Sequence, residues 1–199
     1  MTDRTGLERR ALLGILGTGL AAGIAGCLGG DQPDTETDDG PPAQVYEPTI
    51  ENVDDGPFEF PDGHRCAVCS MIATEWFGKS QLVHENGLAA VFDSPGCLFA
   101  YVASSTPESP IAGAWTTDYE TGGLIDATEA HFVLITDEEA ADDPMGIDPR
   151  PYADREDAVA FLEEWDAEEL TPEDDIIVGL EDVDLEIASI YREHHLPDE

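Results

Sequence analysis

The stretch Gln81-Leu82-Val83-His84-Glu85-Asn86-Gly87-Leu88-Ala89-Ala90-Val91-Phe92-Asp93-Ser94-Pro95 decides the fold. Two apolar runs flank Glu85-Asn86-Gly87, and Asn-Gly between such runs is a strong hairpin signal. Ser94 followed by Pro95 then predicts a helix, with serine at the N-cap and proline at the first helical position. In that helix, Pro95 to Ala103, Leu98, Phe99 and Val102 share one face. Ile111 to Thr116 returns as a strand.

Working outward, the second half repeats the plan. His131-Phe132-Val133-Leu134-Ile135 reads as a strand, and an acidic loop holding Asp143-Pro144-Met145-Gly146 follows it. A short strand spans Arg150 to Tyr152, and Asp154 caps a helix through Trp165. Ala158, Phe161, Leu162 and Trp165 recur there at intervals of three and four. Each half thus runs strand, strand, helix, strand, with an aromatic and an acid at the helix entry: Phe92-Asp93-Ser94 and Tyr152-Ala153-Asp154. The expected fold class is α+β, two related ββαβ units in one compact body. The units span about 58–118 and 119–175. Residues 176–199 are expected to add a helical extension, with an amphipathic helix from Leu185 to Arg192 and His194-His195 in its frayed end.

The N-terminus reads as a targeting segment. Arg9-Arg10, the apolar run Ala11 to Gly26 and the small residues before Cys27 form a twin-arginine secretory signal over residues 1–26. Ile24-Ala25-Gly26-Cys27 resembles a lipobox, which makes Cys27 the lipidated first residue of the mature chain. An uncleaved anchor helix is the alternative, and both place the rest outside the cell. Stable anchoring needs more than one acyl chain. The expected location is the outer face of the cytoplasmic membrane. Residues 27–57, rich in Gly, Pro and acid, read as a flexible, charge-extended linker.

The leader carries three of the eight Lys/Arg and two of the 45 Asp/Glu, leaving five bases (Arg65, Lys79, Arg150, Arg155, Arg192) against 43 acids. The mature formal charge is therefore −38. That charge excludes nucleic acid as a partner. Spread over every surface segment of a chain that is 41% hydrophobic, it points to a protein of very high salt and to an extremely halophilic archaeon. There the Debye length falls to about 3 Å.

Sulfur carries the chemistry. After the leader only Met71 and Met145 remain as methionines. Met71 closes Cys66-Ala67-Val68-Cys69-Ser70-Met71, and Met145 sits in a polar loop with no apolar stripe to join. Two thiols and two thioethers on loops make a soft donor set, which selects Cu(I) over harder cations. A C-x-x-C also suits a structural disulfide in an oxidising compartment, a redox pair, or half of a zinc site whose second pair is absent here. Cys97, in the first turn of its helix, is either a further ligand or a small buried hydrophobe, and the second is the cheaper reading. His64, two residues before Cys66, and His131, opening a strand, have loop and core explanations. Asp93 and Asp118 can orient ligands, although cap and turn roles suffice.

These residues resemble the nitrous oxide reductase accessory lipoproteins, the NosL family. The likeness rests on Cys66-Ala67-Val68-Cys69-Ser70-Met71, the hairpin, and Val91-Phe92-Asp93-Ser94-Pro95-Gly96-Cys97-Leu98-Phe99-Ala100-Tyr101. It continues through Asp118-Tyr119, Ile125-Asp126-Ala127, Asp143-Pro144-Met145-Gly146 and the helix Asp157 to Leu162, to about Asp175. The resemblance implies Cu(I) binding and delivery to the copper centres of nitrous oxide reductase, with that enzyme and its copper-assembly machinery as partners. It also implies two ββαβ units, a topology shared with organomercurial lyase. On this reading the chain is a metallochaperone, not an enzyme, with Cys66, Cys69, Met71 and Met145 as the metal donors. A thiol–disulfide oxidoreductase acting on a partner's metal-site cysteines is the rival. A lyase-like enzyme is a second one, resting on fold analogy alone. Ser70 stands where the family has glycine, which matters if the turn needs a positive φ.

Overall fold

The computed structural model describes residues 46–54, 56–104, 109–165, 170–172 and 175–197. The signal, Cys27 and the first part of the linker lie outside the described residues.

The Asn86-Gly87 turn joins β1 (Ser80–His84) to β2 (Ala89–Phe92), with Gly87 at φ +80°. Ser94 caps α1 (Pro95–Ala103), its side chain accepting a bond from the Cys97 amide at 3.3 Å. β3 (Ile111–Thr117) returns along β1, and β4 (Leu124–Asp126) extends the sheet to the order β2-β1-β3-β4, all antiparallel. In the second half β5 (His131–Val133) is flanked by β6 (Arg150–Tyr152) and β7 (Ile177–Val178), giving the order β6-β5-β7. A short α2 (Glu138–Ala141) lies in the acidic loop, and α3 (Arg155–Glu164) connects β6 to β7. In each half the first strand is central, the second pairs on one side, and the strand after the helix on the other. The fold is α+β, with two such ββαβ units.

The sheets divide elsewhere than the expected boundary at 118/119. β4 belongs to the first sheet, and β7 lies beyond 175. Two- and three-residue strands leave too little alternation to be read from sequence. Asp154 occupies the N-cap of α3 but makes no side-chain cap bond there.

Alternation along β5 and its continuation joins the units. Phe132 and Leu134 enter one apolar cluster with Phe92, Leu98 and Phe99, while Val133 and Ile135 face a second cluster with Tyr152, Ala158 and Leu162. Both faces of this strand are therefore covered, which explains its unbroken apolar sequence. Phe99 meets Phe132 edge-on, with ring centroids 5.0 Å apart. α4 (Leu185–Arg192) lies against α1 and places Tyr191 beside Phe99, centroids 6.2 Å apart.

Residues 46–54, 56 and 57, expected in the linker, belong to the body. Ile50 and Ala89 exchange backbone bonds of 3.0 and 2.8 Å, and the Val53 amide donates to the Gly87 carbonyl at 3.0 Å. Tyr46 stacks on Tyr101. The few apolar residues of this segment thus cover the otherwise open edge of β2, where unpaired backbone groups would favour association with other chains.

Candidate metal centre

The Cys66–Met71 loop is a tight turn closed by its own backbone. The Cys66 amide donates to the Met71 carbonyl at 2.7 Å, and the Ser70 amide to the Cys66 carbonyl at 3.1 Å. Ser70 has φ +65°, so this turn does require the left-handed region and glycine would fit it better. Arg65 donates from Nη1 to the Ser70 carbonyl at 2.6 Å and helps hold it. Replacing Ser70 by glycine should relieve about 1–2 kcal/mol of left-handed strain. It also adds about 0.5–1 kcal/mol of unfolded-chain entropy. The expected result is a denaturant midpoint raised by up to about 1 kcal/mol of stability, and a lowered midpoint would show an unstrained turn.

A single amide, Ala67 N–H to the Val91 carbonyl at 3.0 Å, pins this loop to the edge of β2. The cysteines therefore lie where β2 passes into α1. The sulfurs of Cys66, Cys69 and Cys97 and a carboxylate oxygen of Asp93 all lie within 4.8 Å of one another. All three cysteines are free thiols, with Cys66 and Cys97 buried and Cys69 half-buried. The amides of Val68 and Cys69 point at Cys66 Sγ, at 3.4 and 3.5 Å. The Cys69 thiol donates to both oxygens of Asp93, at 3.2 and 3.3 Å. Asp93 is fully buried.

Crowding sets the protonation of the metal-free site. The hydrogen bond with Cys69 and burial push the Cys66 thiol up to about 12. For Cys69 the bond with Cys66 lowers the value, but the bond with Cys97 and burial outweigh it and push it up to about 12. Cys97 is raised too, by its bond with Cys66 and by burial. Three neighbouring sulfurs cannot all be anionic without a cation between them.

Cys97 is thus both things weighed from its position. Its residue is fully buried in the apolar core, and its sulfur belongs to the cluster. Met145 lies in another loop, turned by Asp143, whose Oδ1 accepts from the Met145 amide at 2.8 Å. Met145, Asp93 and Ser94 line one cavity of about 100 Å³, so the Met145 loop borders the cluster's carboxylate side. Met71 contributes its backbone to the cysteine turn and is half-buried.

His64, His131 and Asp118 are outside the cluster. His64 Nε2 lies 3.1 Å from Thr49 Oγ1. His131 pairs with Tyr152 across β5 and β6. Asp118 accepts from Thr121 at 2.7 Å and from the Ala153 amide at 2.9 Å, tying the two units together.

Sequence reading gave no site role to the C-terminal helix, yet Arg192 reaches the cluster. Its Nε donates to Cys97 Sγ at 3.3 Å, and Nη2 donates to Ser94 Oγ at 2.6 Å and to Asp148 at 2.8 and 3.0 Å. This is the one ion pair among the described residues, and both partners are buried. Asp148 Oδ1 also accepts from the Gly96 amide at 2.8 Å. A Cβ at Gly96 would lie 2.5 Å from that oxygen and 3.2 Å from Arg192 Cζ, so only glycine admits this approach. The one available signal was a lone cation on the same stripe of α4 as buried Ala188 and next to buried Tyr191.

Three free thiols and a carboxylate at this separation can hold a soft cation, and the donor types suit one. A solved structure of the copper chaperone NosL from Shewanella denitrificans is similar at 21% identity, covering 59% of this chain and 97% of that one with a TM-score of 0.46. No curated protein matches. The family model for NosL matches residues 57–177, a span that holds all three cysteines of the cluster and both methionines, and the chain belongs to the NosL family.

Proposed function

We propose that this protein is a Cu(I) chaperone, tethered by lipid on Cys27 to the outer face of the cytoplasmic membrane, that delivers copper for assembly of nitrous oxide reductase. The observation that carries the reading is the convergence of three thiol sulfurs within 4.8 Å beside a buried carboxylate. Cys69, half-buried on its turn, is the cluster thiol open to ligand exchange, so a partner's thiolates or thioethers can begin to take the ion there. Asp93, which accepts from the Cys69 thiol, orients that sulfur at the cluster. Membership of the NosL family supports copper as the cargo and the reductase's assembly machinery as the recipient.

Met145 separates this reading from the oxidoreductase. Thiol–disulfide exchange needs attacking and resolving cysteines and no methionine. Met145→Leu keeps volume and apolarity. With Met145 as a thioether donor, Cu(I) affinity by chelator competition should fall about tenfold, the scale of a 1.4 kcal/mol loss, while apo melting barely moves. Equal affinities would favour the oxidoreductase. The tether has its own check: Cys27→Ala should release the protein from membranes or leave it unprocessed, and normal membrane fractionation would exclude lipidation.

A further inference from the structure

α4 lies outside the span that matches the family model, which ends at residue 177. From that helix Arg192 makes a buried contact with a cluster sulfur. The guanidinium is always charged, donates through five N–H groups and accepts nothing. A donor 3.3 Å from Cys97 Sγ therefore requires that sulfur to act as an acceptor. Among the described residues no other cation bonds to a cluster sulfur. The remaining donors of Arg192 are used on Ser94, Asp148 and the carbonyls of Tyr191 and Ile147. Asp148 and Ile147 end the loop that carries Met145. One side chain thus fixes the N-cap of α1, the third sulfur and the methionine loop.

We propose that Arg192 is a positioning residue of the metal centre: its Nε–H holds Cys97 as the third sulfur donor to the soft monovalent cation, so that docking of the C-terminal helix sets the coordination number of the site. The proposal rests on the Cu(I) reading above. The guanidinium contact keeps the Cys97 sulfur turned into the cluster, within 4.8 Å of the sulfurs of Cys66 and Cys69. With Arg192 removed, Cys97 is no longer held in the shell.

Arg192→Gln alone strands the buried Asp148, and breaking such a pair from one side is strongly destabilising. The test therefore uses Arg192→Gln combined with Asp148→Asn in the full chain, with Arg192→Lys and Cys97→Ser alongside. X-ray absorption of the Cu(I)-loaded wild type should show one more sulfur than the double variant. Cu(I) affinity of the double variant should fall by about 10- to 100-fold, the range for residues that orient metal ligands. Arg192→Lys should recover part of that loss, since an ammonium is a point donor without the fork. In a Cys97→Ser background the double change should have no further effect on affinity, because the two act through one sulfur. An unchanged sulfur count and affinity in the double variant, with wild type binding Cu(I), overturns the inference alone. An equal loss in the Cys97→Ser background also overturns it, since Arg192 would then act only on the fold. A wild type without Cu(I) affinity overturns the chaperone reading and this inference with it.

Discussion

Lowering the salt from molar to about 0.1 M should unfold the domain. Residues 27–199 set 43 carboxylates against five basic side chains, and the structure commits most of those cations internally. Arg192 is buried on Asp148, Arg150 is buried among the rings of Tyr119, Phe161 and Trp165 at 4.5–5.0 Å, and Lys79 lies over Phe60 at 5.0 Å. The surface carboxylates are left to the solvent ions. Between these salts the Debye length grows from about 3 to about 10 Å, so repulsion then reaches several neighbours. A domain's stability is about 5–15 kcal/mol in total, and repulsion among this many like charges is expected to consume it. Circular dichroism should show cooperative loss of structure on dilution of salt and its return on restoration. Spectra and melting that ignore salt would show that the acid is not an adaptation to it.

Copper affinity should rise steeply with pH. Burial and mutual hydrogen bonding push the thiols of Cys66 and Cys69 to about 12, and raise Cys97, so at neutral pH the metal-free site holds thiols. Each thiolate that binds Cu(I) must first release its proton. The apparent affinity therefore gains about tenfold per pH unit for each proton released, or about 100- to 1,000-fold for two or three. Chelator competition between pH 6 and 8, corrected for the chelator's own titration, reads this slope. The slope also counts thiolates, and a flat profile would mean that no thiol binds. The metal-free fold runs the other way. An unfolded thiol ionises near 8.5, the folded thiols later, so their contribution to stability is complete below pH about 8.5 and is lost as pH rises toward 12.

Local chemistry decided which parts of this protein were legible. Pro95–Ala103 and Leu185–Arg192 lie where sequence places them, because caps and helical periodicity act within one turn of chain. The hairpin and the central strands were equally readable. β4, β7 and the segment around Ile50 and Val53 are not: each is held by pairing to a strand distant in sequence, and only the partner's position reveals it. The site divides the same way. Cys66 and Cys69 are three residues apart and announce themselves. In the sequence a cap or turn role suffices for Asp93, but Ser94 does the capping and leaves the carboxylate for Cys69. Arg192 is 95 residues from Cys97, and packing of α4 on α1 alone joins them.

The central claim, a soft cation held by sulfur, is tested most directly by X-ray absorption at the copper edge of protein loaded with one equivalent of Cu(I) under anaerobic, reducing conditions at molar salt. The account predicts a monovalent copper spectrum with a shell of sulfur scatterers. An all-oxygen or all-nitrogen shell, or failure to retain Cu(I) against a competing chelator while Zn²⁺ is held, would contradict it.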